Sequence, residues 1–187
     1  MKKFLLPLAL AVTVTIDTES CDPETVMLAE EGLEKMNEIM TGGTSYEFAD
    51  CTLVIRDNAD LISETEEESM VARLTKYLDQ SEVDVLIMTT QEIGLSSLSP
   101  GSTYAQMYLP AESEEWICLT YDQRRGSYHI YYDGMIAKRA IANRTDLALD
   151  AGMPYFRDKD YAKGLEEMAK FCLKHIIEVD NSHASLP

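Results

Sequence analysis

Positive charge, histidine and paired cysteine are all scarce in this chain. Its 187 residues carry 16 lysines and arginines against 33 aspartates and glutamates, a formal net charge of −17. Such a surface repels phosphate backbones and anionic lipid, so nucleic acid is not an expected partner, and it favours solubility and cation accumulation. The histidines number 3. They are scattered at His129, His175 and His183, the first reading as a strand-surface residue and the second as a helix-surface residue. Four cysteines, Cys21, Cys51, Cys118 and Cys172, stand far apart with no C-x-x-C, which argues against a zinc knuckle or a thioredoxin-like centre. There is no Walker A loop, no H-E-x-x-H and no cysteine–arginine phosphatase loop. Internal repeats and low-complexity segments are also missing.

The N-terminus has the form of a targeting segment, with Lys2 and Lys3 preceding the apolar run Phe4 to Val14. Two readings stand. In one, residues 1–20 are an export segment and the protein works outside the cytoplasm. In the other, Leu8 to Ile16 is a buried first strand of a cytosolic protein. The run is short for a bilayer span, and no second apolar run of bilayer length predicts a C-terminal anchor. In an exported chain Cys21 and Cys51 could form a disulfide. Cys118, inside a predicted strand, and Cys172, on an apolar helix face, read as small core hydrophobes.

Residues 21–50 are expected to form an extra helix and a linker. Asp22-Pro23 opens the helix, Val26, Ala29, Leu33, Met36 and Met40 make one apolar stripe, and Gly42-Gly43 ends it. Its stripe reads as core packing, with partner binding as the alternative. Residues 51–179 are expected to form the main domain. Strands are predicted at Thr52 to Ile55, Val85 to Thr90, Trp116 to Tyr121 and Ser127 to Tyr132, the last two as an antiparallel hairpin around Asp122 to Gly126. Ser63-x-x-Glu66 is a capping box ahead of a helix whose acidic first turn suits the helix dipole. Gly94 to Gly101 reads as a loop and Ser102 as the start of a short helix. Met135 to Asn143 reads as a helix, Thr145 as the cap of a helix over Asp146 to Ala151 stopped by Gly152 and Pro154, and Asp160 as the start of a last helix ending near Val179. The tail, residues 180–187, is expected to be loose. Strands separated by helices predict an α/β/α sandwich, with about four strands in a mostly parallel sheet, a β-hairpin at one side and helices on both faces. The molecule is expected to be a monomer.

This order of local patterns resembles the TPM-domain family. The residues that carry the resemblance are Asp57-Asn-Ala59-Asp60-Leu61-Ile62-Ser63 after the first of these strands, the apolar run Val85 to Thr90, Tyr104-Ala105, Asp122 ahead of Arg124-Arg125, and Pro154-Tyr-Phe-Arg-Asp-Lys-Asp160-Tyr161-Ala-Lys-Gly164-Leu165. The chain departs from the family pattern in two places, the short link Pro110 to Trp116 and the reduced Asp133-Gly134. Both are expected near the ligand-binding rim. The resemblance implies calcium or magnesium binding in some members, acid phosphatase activity credited to some, and a role for others in the assembly or repair of membrane complexes.

In open α/β sheets ligands bind at the carboxyl ends of the strands. Asp57, Asp60 and Asp122 follow three of the predicted strands, and Thr89, Thr90, Gln91 and Glu92 end another. If the carboxylates converge they meet the oxygen requirement of a calcium or magnesium ion. Otherwise Asp57 and Asp60 cap the following turn, and Asp122 pairs with Arg124 or Arg125. In a metal-dependent phosphomonoesterase those arginines would clamp phosphate. Three functions therefore stand open: a cation-binding module, a phosphomonoesterase, and a non-catalytic interaction protein. Asn143-Arg144-Thr145 has the form of a glycosylation acceptor, for which Thr145 as a helix cap is sufficient explanation.

Overall fold

The computed structural model describes residues 3–4, 43–91 and 100–184, with side chains over 43–91 and 101–182. The apolar run beyond Phe4, the predicted helix over Asp22 to Met40, Cys21, Glu92, most of the Gly94 to Gly101 loop and the His183 side chain lie outside the described residues.

A five-stranded mixed sheet, extended by a two-residue pairing, forms the centre of the domain. Its strands are β1 (Lys3–Phe4), β2 (Thr44–Glu47), β3 (Thr52–Asp57), β4 (Asp84–Thr90), β5 (Trp116–Asp122) and β6 (Ser127–Asp133), in that spatial order. The β3–β4 and β4–β5 pairs are parallel; β1–β2, β2–β3 and β5–β6 are antiparallel. All four predicted strands are present. The sequence reading placed Thr44–Glu47 in a linker, but these residues add a strand to β3. The helices are α1 (Glu64–Leu78), α2 (Pro100–Tyr108), α3 (Met135–Ile141), α4 (Thr145–Arg157) and α5 (Tyr161–Ala184).

The sheet is covered on both faces, as the alternation of its strands requires. Leu53, Ile55, Val85, Ile87, Ile117 and Leu119 point to one face and pack with α1, α3, α4 and α5 in the larger core. Val54, Leu86 and Cys118 point to the other, where Ala105 and Leu109 of α2 and the following residue cover them. The Ser63 capping box starts α1 as expected, with Ser63 Oγ accepting from the Glu66 N–H and the Glu66 carboxylate accepting from the Ser63 N–H at 2.8 Å.

Two helix ends differ from the sequence reading. α4 does not stop at Gly152 and Pro154 but runs on to Arg157. Proline forfeits one helical hydrogen bond, and here tertiary packing offsets that loss. Phe156, one turn further on, is nine-tenths buried and stacks on Tyr121 and Tyr128 at centroid distances of 5.4 and 4.8 Å. Gly152 lets α4 approach α5 closely, since a Cβ there would lie 2.7 Å from the Gly164 carbonyl oxygen. Thr145 is not the cap but the first residue of α4, and its hydroxyl donates back to the Ile141 carbonyl at 3.2 Å. The second difference is the tail. α5 continues to Ala184, because nothing between Asp180 and Ala184 breaks a helix.

One charge cluster ties α1 to α5. The Glu166 side chain is fully buried and accepts from Arg73 Nε at 2.7 Å, Lys163 Nζ at 3.0 Å and Lys170 Nζ at 2.5 Å. Glu167 accepts from the same two lysines at 2.8 and 3.0 Å. Burial pushes the Glu166 carboxyl up, but the hydrogen bonds from Arg73, Lys170 and Lys163 outweigh it and hold the group below its ordinary value. A carboxyl depressed in the folded state stabilises fully above its unfolded value, roughly 4.3, and that contribution is lost as pH falls through the folded value. Glu166→Gln is expected to cost about 3 kcal/mol, since it strands three cations on one remaining carboxylate. Denaturant midpoints at neutral and acid pH check this, and the loss in the variant should shrink as pH falls below the ordinary glutamate range.

Candidate functional site at the carboxyl ends of the parallel strands

Asp57, Thr89 and Tyr121 stand side by side across β3, β4 and β5, and Thr90 pairs with Asp122 one residue further on. Successive strand residues point to opposite faces. Asp57 and Thr89 therefore face the larger core, while Thr90 and Asp122 face the α2 side. The three predicted aspartates come to the same end of the sheet, but Asp57 and Asp122 lie on opposite faces of it with β4 between them. Asp60 is exposed in the turn after β3, at φ 52°. That left-handed conformation is one that aspartate tolerates better than most residues.

The Asp57 carboxylate is engaged by its own turn and the next strand. One oxygen accepts from the Leu61 N–H at 3.0 Å and from the Thr89 hydroxyl, and the other accepts from the Ile62 N–H at 2.7 Å. The fully buried Thr89 hydroxyl oxygen in turn accepts from the Ala59 N–H at 3.1 Å, and the Thr89 carbonyl accepts from Asn58 N–H at 3.2 Å. These bonds fasten the turn after β3 to the end of β4. Asp122 does the same for the hairpin, accepting from the Arg125 N–H at 3.1 Å, with the Arg125 Nε 3.8 Å away. Arg124 and Arg125 are both exposed on that hairpin.

Asp57, Asp60 and Asp122 thus do not make one ligand set for a hard cation. No group of three or more histidine, cysteine, aspartate or glutamate residues with metal-site geometry occurs among the described residues. The described cysteines are poor nucleophiles. Cys51, Cys118 and Cys172 are buried thiols, and burial pushes Cys51 and Cys172 up to about 12 and Cys118 up as well. Burial, then the hydrogen bond to Tyr161, push the Tyr121 phenol up to about 12. His129 lies on the strand surface as expected. His175, part-exposed on α5, bonds Glu178 at 2.8 Å.

The two departures from the family pattern lie at the other end of the sheet from this rim, contrary to the sequence reading. The link Pro110 to Glu115 enters β5, and Asp133-Gly134 leaves β6 beside it, because Trp116 pairs with Asp133. There the Glu115 carboxylate accepts from the Met135, Ile136 and Ala137 N–H groups at 2.5 to 3.1 Å and caps α3. Gly134, at φ 93°, leaves room for that carboxylate. An open depression of about 580 Å³ at this end is lined by Glu47, Asp50, Glu82, Asp84, Glu112, Glu114 and Glu115 and, among the described residues, by no basic one. The sequence signal for it is the Glu112-Ser-Glu-Glu run; the partners on other strands become visible only with the register.

The TPM domain model matches residues 55–172. This chain belongs to the TPM-domain family. Two solved structures share the TPM fold with it. The BA42 protein of Bizionia argentinensis aligns with a TM-score of 0.54 and 10% identity, covering 65% of this chain and 85% of that one. The N-terminal domain of a protein from P. gingivalis aligns with a TM-score of 0.53 and 21% identity, covering 68% of this chain and 82% of that one. At these identities the likeness concerns the fold. No curated protein is significantly similar to this chain.

Within the TPM motif Pro154 to Leu165, Phe156, Asp160 and Gly164 have packing or capping roles. Phe156 fills the stack between Tyr121 and Tyr128, Asp160 accepts from the Lys163 N–H at 3.1 Å at the start of α5, and Gly164 gives way to the Phe156 ring. Asp57→Asn is expected to destabilise the domain by about 1 to 3 kcal/mol, because the amide removes one of two acceptors that buried donors use. Thermal or denaturant unfolding of the two proteins measures it. An unchanged midpoint would mean that the carboxylate is not a turn lock.

Proposed function

We propose that this TPM domain is a non-catalytic binding module, acting outside the cytoplasm in the assembly or upkeep of membrane-associated complexes. The observation that carries this reading is the commitment of the rim carboxylates to the fold. Asp57 accepts from Leu61, Ile62 and Thr89, and Asp122, on the opposite face, holds the β5–β6 turn. A metal-dependent phosphomonoesterase calls for acidic ligands on one side of the reacting phosphate with an arginine clamp beside them. The opposite-face placement of Asp57 and Asp122 supports the non-catalytic reading over that one. Export is supported by the Lys2-Lys3 and Phe4 to Val14 pattern, and a membrane-complex role by family membership.

A calcium or magnesium ion at this rim is then held by Asp60 or Asp122 singly, with carbonyl and water oxygens completing the shell. So few charged ligands give the weak end of the affinity scale, with Kd on the order of 1 mM. Cation at about 1 mM is expected to raise the thermal midpoint by no more than about 2 °C. A shift of several degrees that both Asp57→Asn and Asp122→Asn abolish would establish a joint site. Turnover of a generic phosphate ester with magnesium is expected at the level of buffer. Turnover by the wild type that vanishes in both variants would overturn the non-catalytic reading.

A further inference from the structure

We propose that the open edge of β6 receives an extended, basic strand of a partner protein through main-chain pairing. The proposal rests on the binding-module reading and names the surface and the kind of partner.

The free groups of that edge follow from the ladder. Gln123 donates its N–H to the Thr90 carbonyl at 2.8 Å, and the Glu115 carbonyl accepts from Asp84 N–H at 2.9 Å. Backbone groups alternate in direction along a strand, so those of Trp116, Cys118, Thr120 and Asp122 point from β5 towards β6. Their partners are Asp133, Tyr131, His129 and Ser127. The N–H and C=O groups of Tyr128, Ile130 and Tyr132 therefore point away from the sheet. β6 is the last strand of the order, and among the described residues no strand pairs with its outer side.

The strand itself lacks several of the usual guards. Its seven residues, Ser127 to Asp133, include no proline, no glycine and no lysine, and the register with β5 runs unbroken by a bulge. Among the described residues the opposite edge of the sheet is Lys3–Phe4. Met135 and Leu147, the large hydrophobic side chains most exposed among the described residues at 63% and 56%, belong to α3 and α4, which both pack against β6. They offer apolar contact to an added strand. Charge selects the occupant. Two copies of this chain at −17 each repel one another, whereas a strand bearing lysine or arginine is attracted to the molecule as a whole. Strand addition supplies affinity through the backbone and specificity through alternate side chains.

Amide exchange by NMR on the full chain tests this. In the free protein the amides of Tyr128, Ile130 and Tyr132 should exchange much faster than those of His129 and Tyr131. A synthetic peptide of about ten residues alternating valine and lysine should slow those three amides about tenfold or more, while the same peptide with proline at alternate positions should not. His129→Lys, at an exposed position on the same strand, should weaken binding about three- to fivefold. The proposal is wrong if the three amides are already slow in dilute free protein. It is equally wrong if they slow only as protein concentration rises, which would make a second copy the occupant. Equal slowing by the proline peptide would reduce the effect to general charge attraction, and no slowing at all would leave the edge unused. Each of these results sinks the strand-addition proposal while the phosphate-ester assay still judges the non-catalytic reading separately.

Discussion

Burial of the parallel trio on both faces is the constraint from which the rest of the architecture follows. β4 is buried over all but its first residue and β5 over its whole length. Parallel neighbours cannot be joined by tight turns, so each connection must cross over and cover a face. α1 crosses from β3 to β4 on one side, and α2 lies between β4 and β5 on the other. The hairpin to β6 ends the crossovers, and α3, α4 and α5 then close the larger face. The exits of β3 and β5 need fastening at the same end, and Asp57 and Asp122 supply it. Their positions are thus set by the turns they hold.

Charge is distributed unevenly over this frame. In a chain with twice as many acids as bases, three of the 16 cations converge on Glu166 and its neighbour Glu167. Arg73 of α1 thereby bonds directly to Glu166 of α5. The cluster sits on helices, away from the strand ends, and its stabilising effect comes from satisfying a buried carboxylate that could not otherwise remain ionised. The remaining acids crowd other surfaces, among them the depression at the amino ends of the parallel strands. There, two of the seven have local duties, Asp84 accepting from the Thr52 N–H at 2.6 Å and Glu115 capping α3.

Much of this fold was legible in the sequence because its strands and caps are local signals. The apolar run Val85 to Thr90, the Tyr121-to-Tyr128 hairpin and the Ser63–Glu66 box each act over a few residues and formed as read. β2 escaped because Thr44 to Glu47 is four residues long after two glycines, and its apolar member, Tyr46, gains its burial only from β3 and α1. Gly152 and Pro154 read as a helix stop because their compensation, close contact with α5 and the Tyr121–Phe156–Tyr128 stack, is tertiary. The rim was legible in part. The sequence places Asp57 and Asp122 at strand ends, but whether they share a face depends on register across β4, and a one-residue difference in register moves a side chain to the other side of the sheet.

That parity bears on how far membership of the TPM family carries. In the motif stretch Pro154 to Leu165, Phe156 packs, Asp160 caps and Gly164 clears space. A motif of that kind constrains the fold and leaves chemistry free to vary, since activity resides in sites placed on a fold and not in the fold itself. The segments read from the sequence as departures from the family pattern, Pro110 to Trp116 and Asp133-Gly134, lie together at the amino end of the parallel strands, where Glu115 caps a helix and the link lines an acidic surface. The acidic depression lies at that end, while at the carboxyl rim Asp57 and Asp122 hold their own turns.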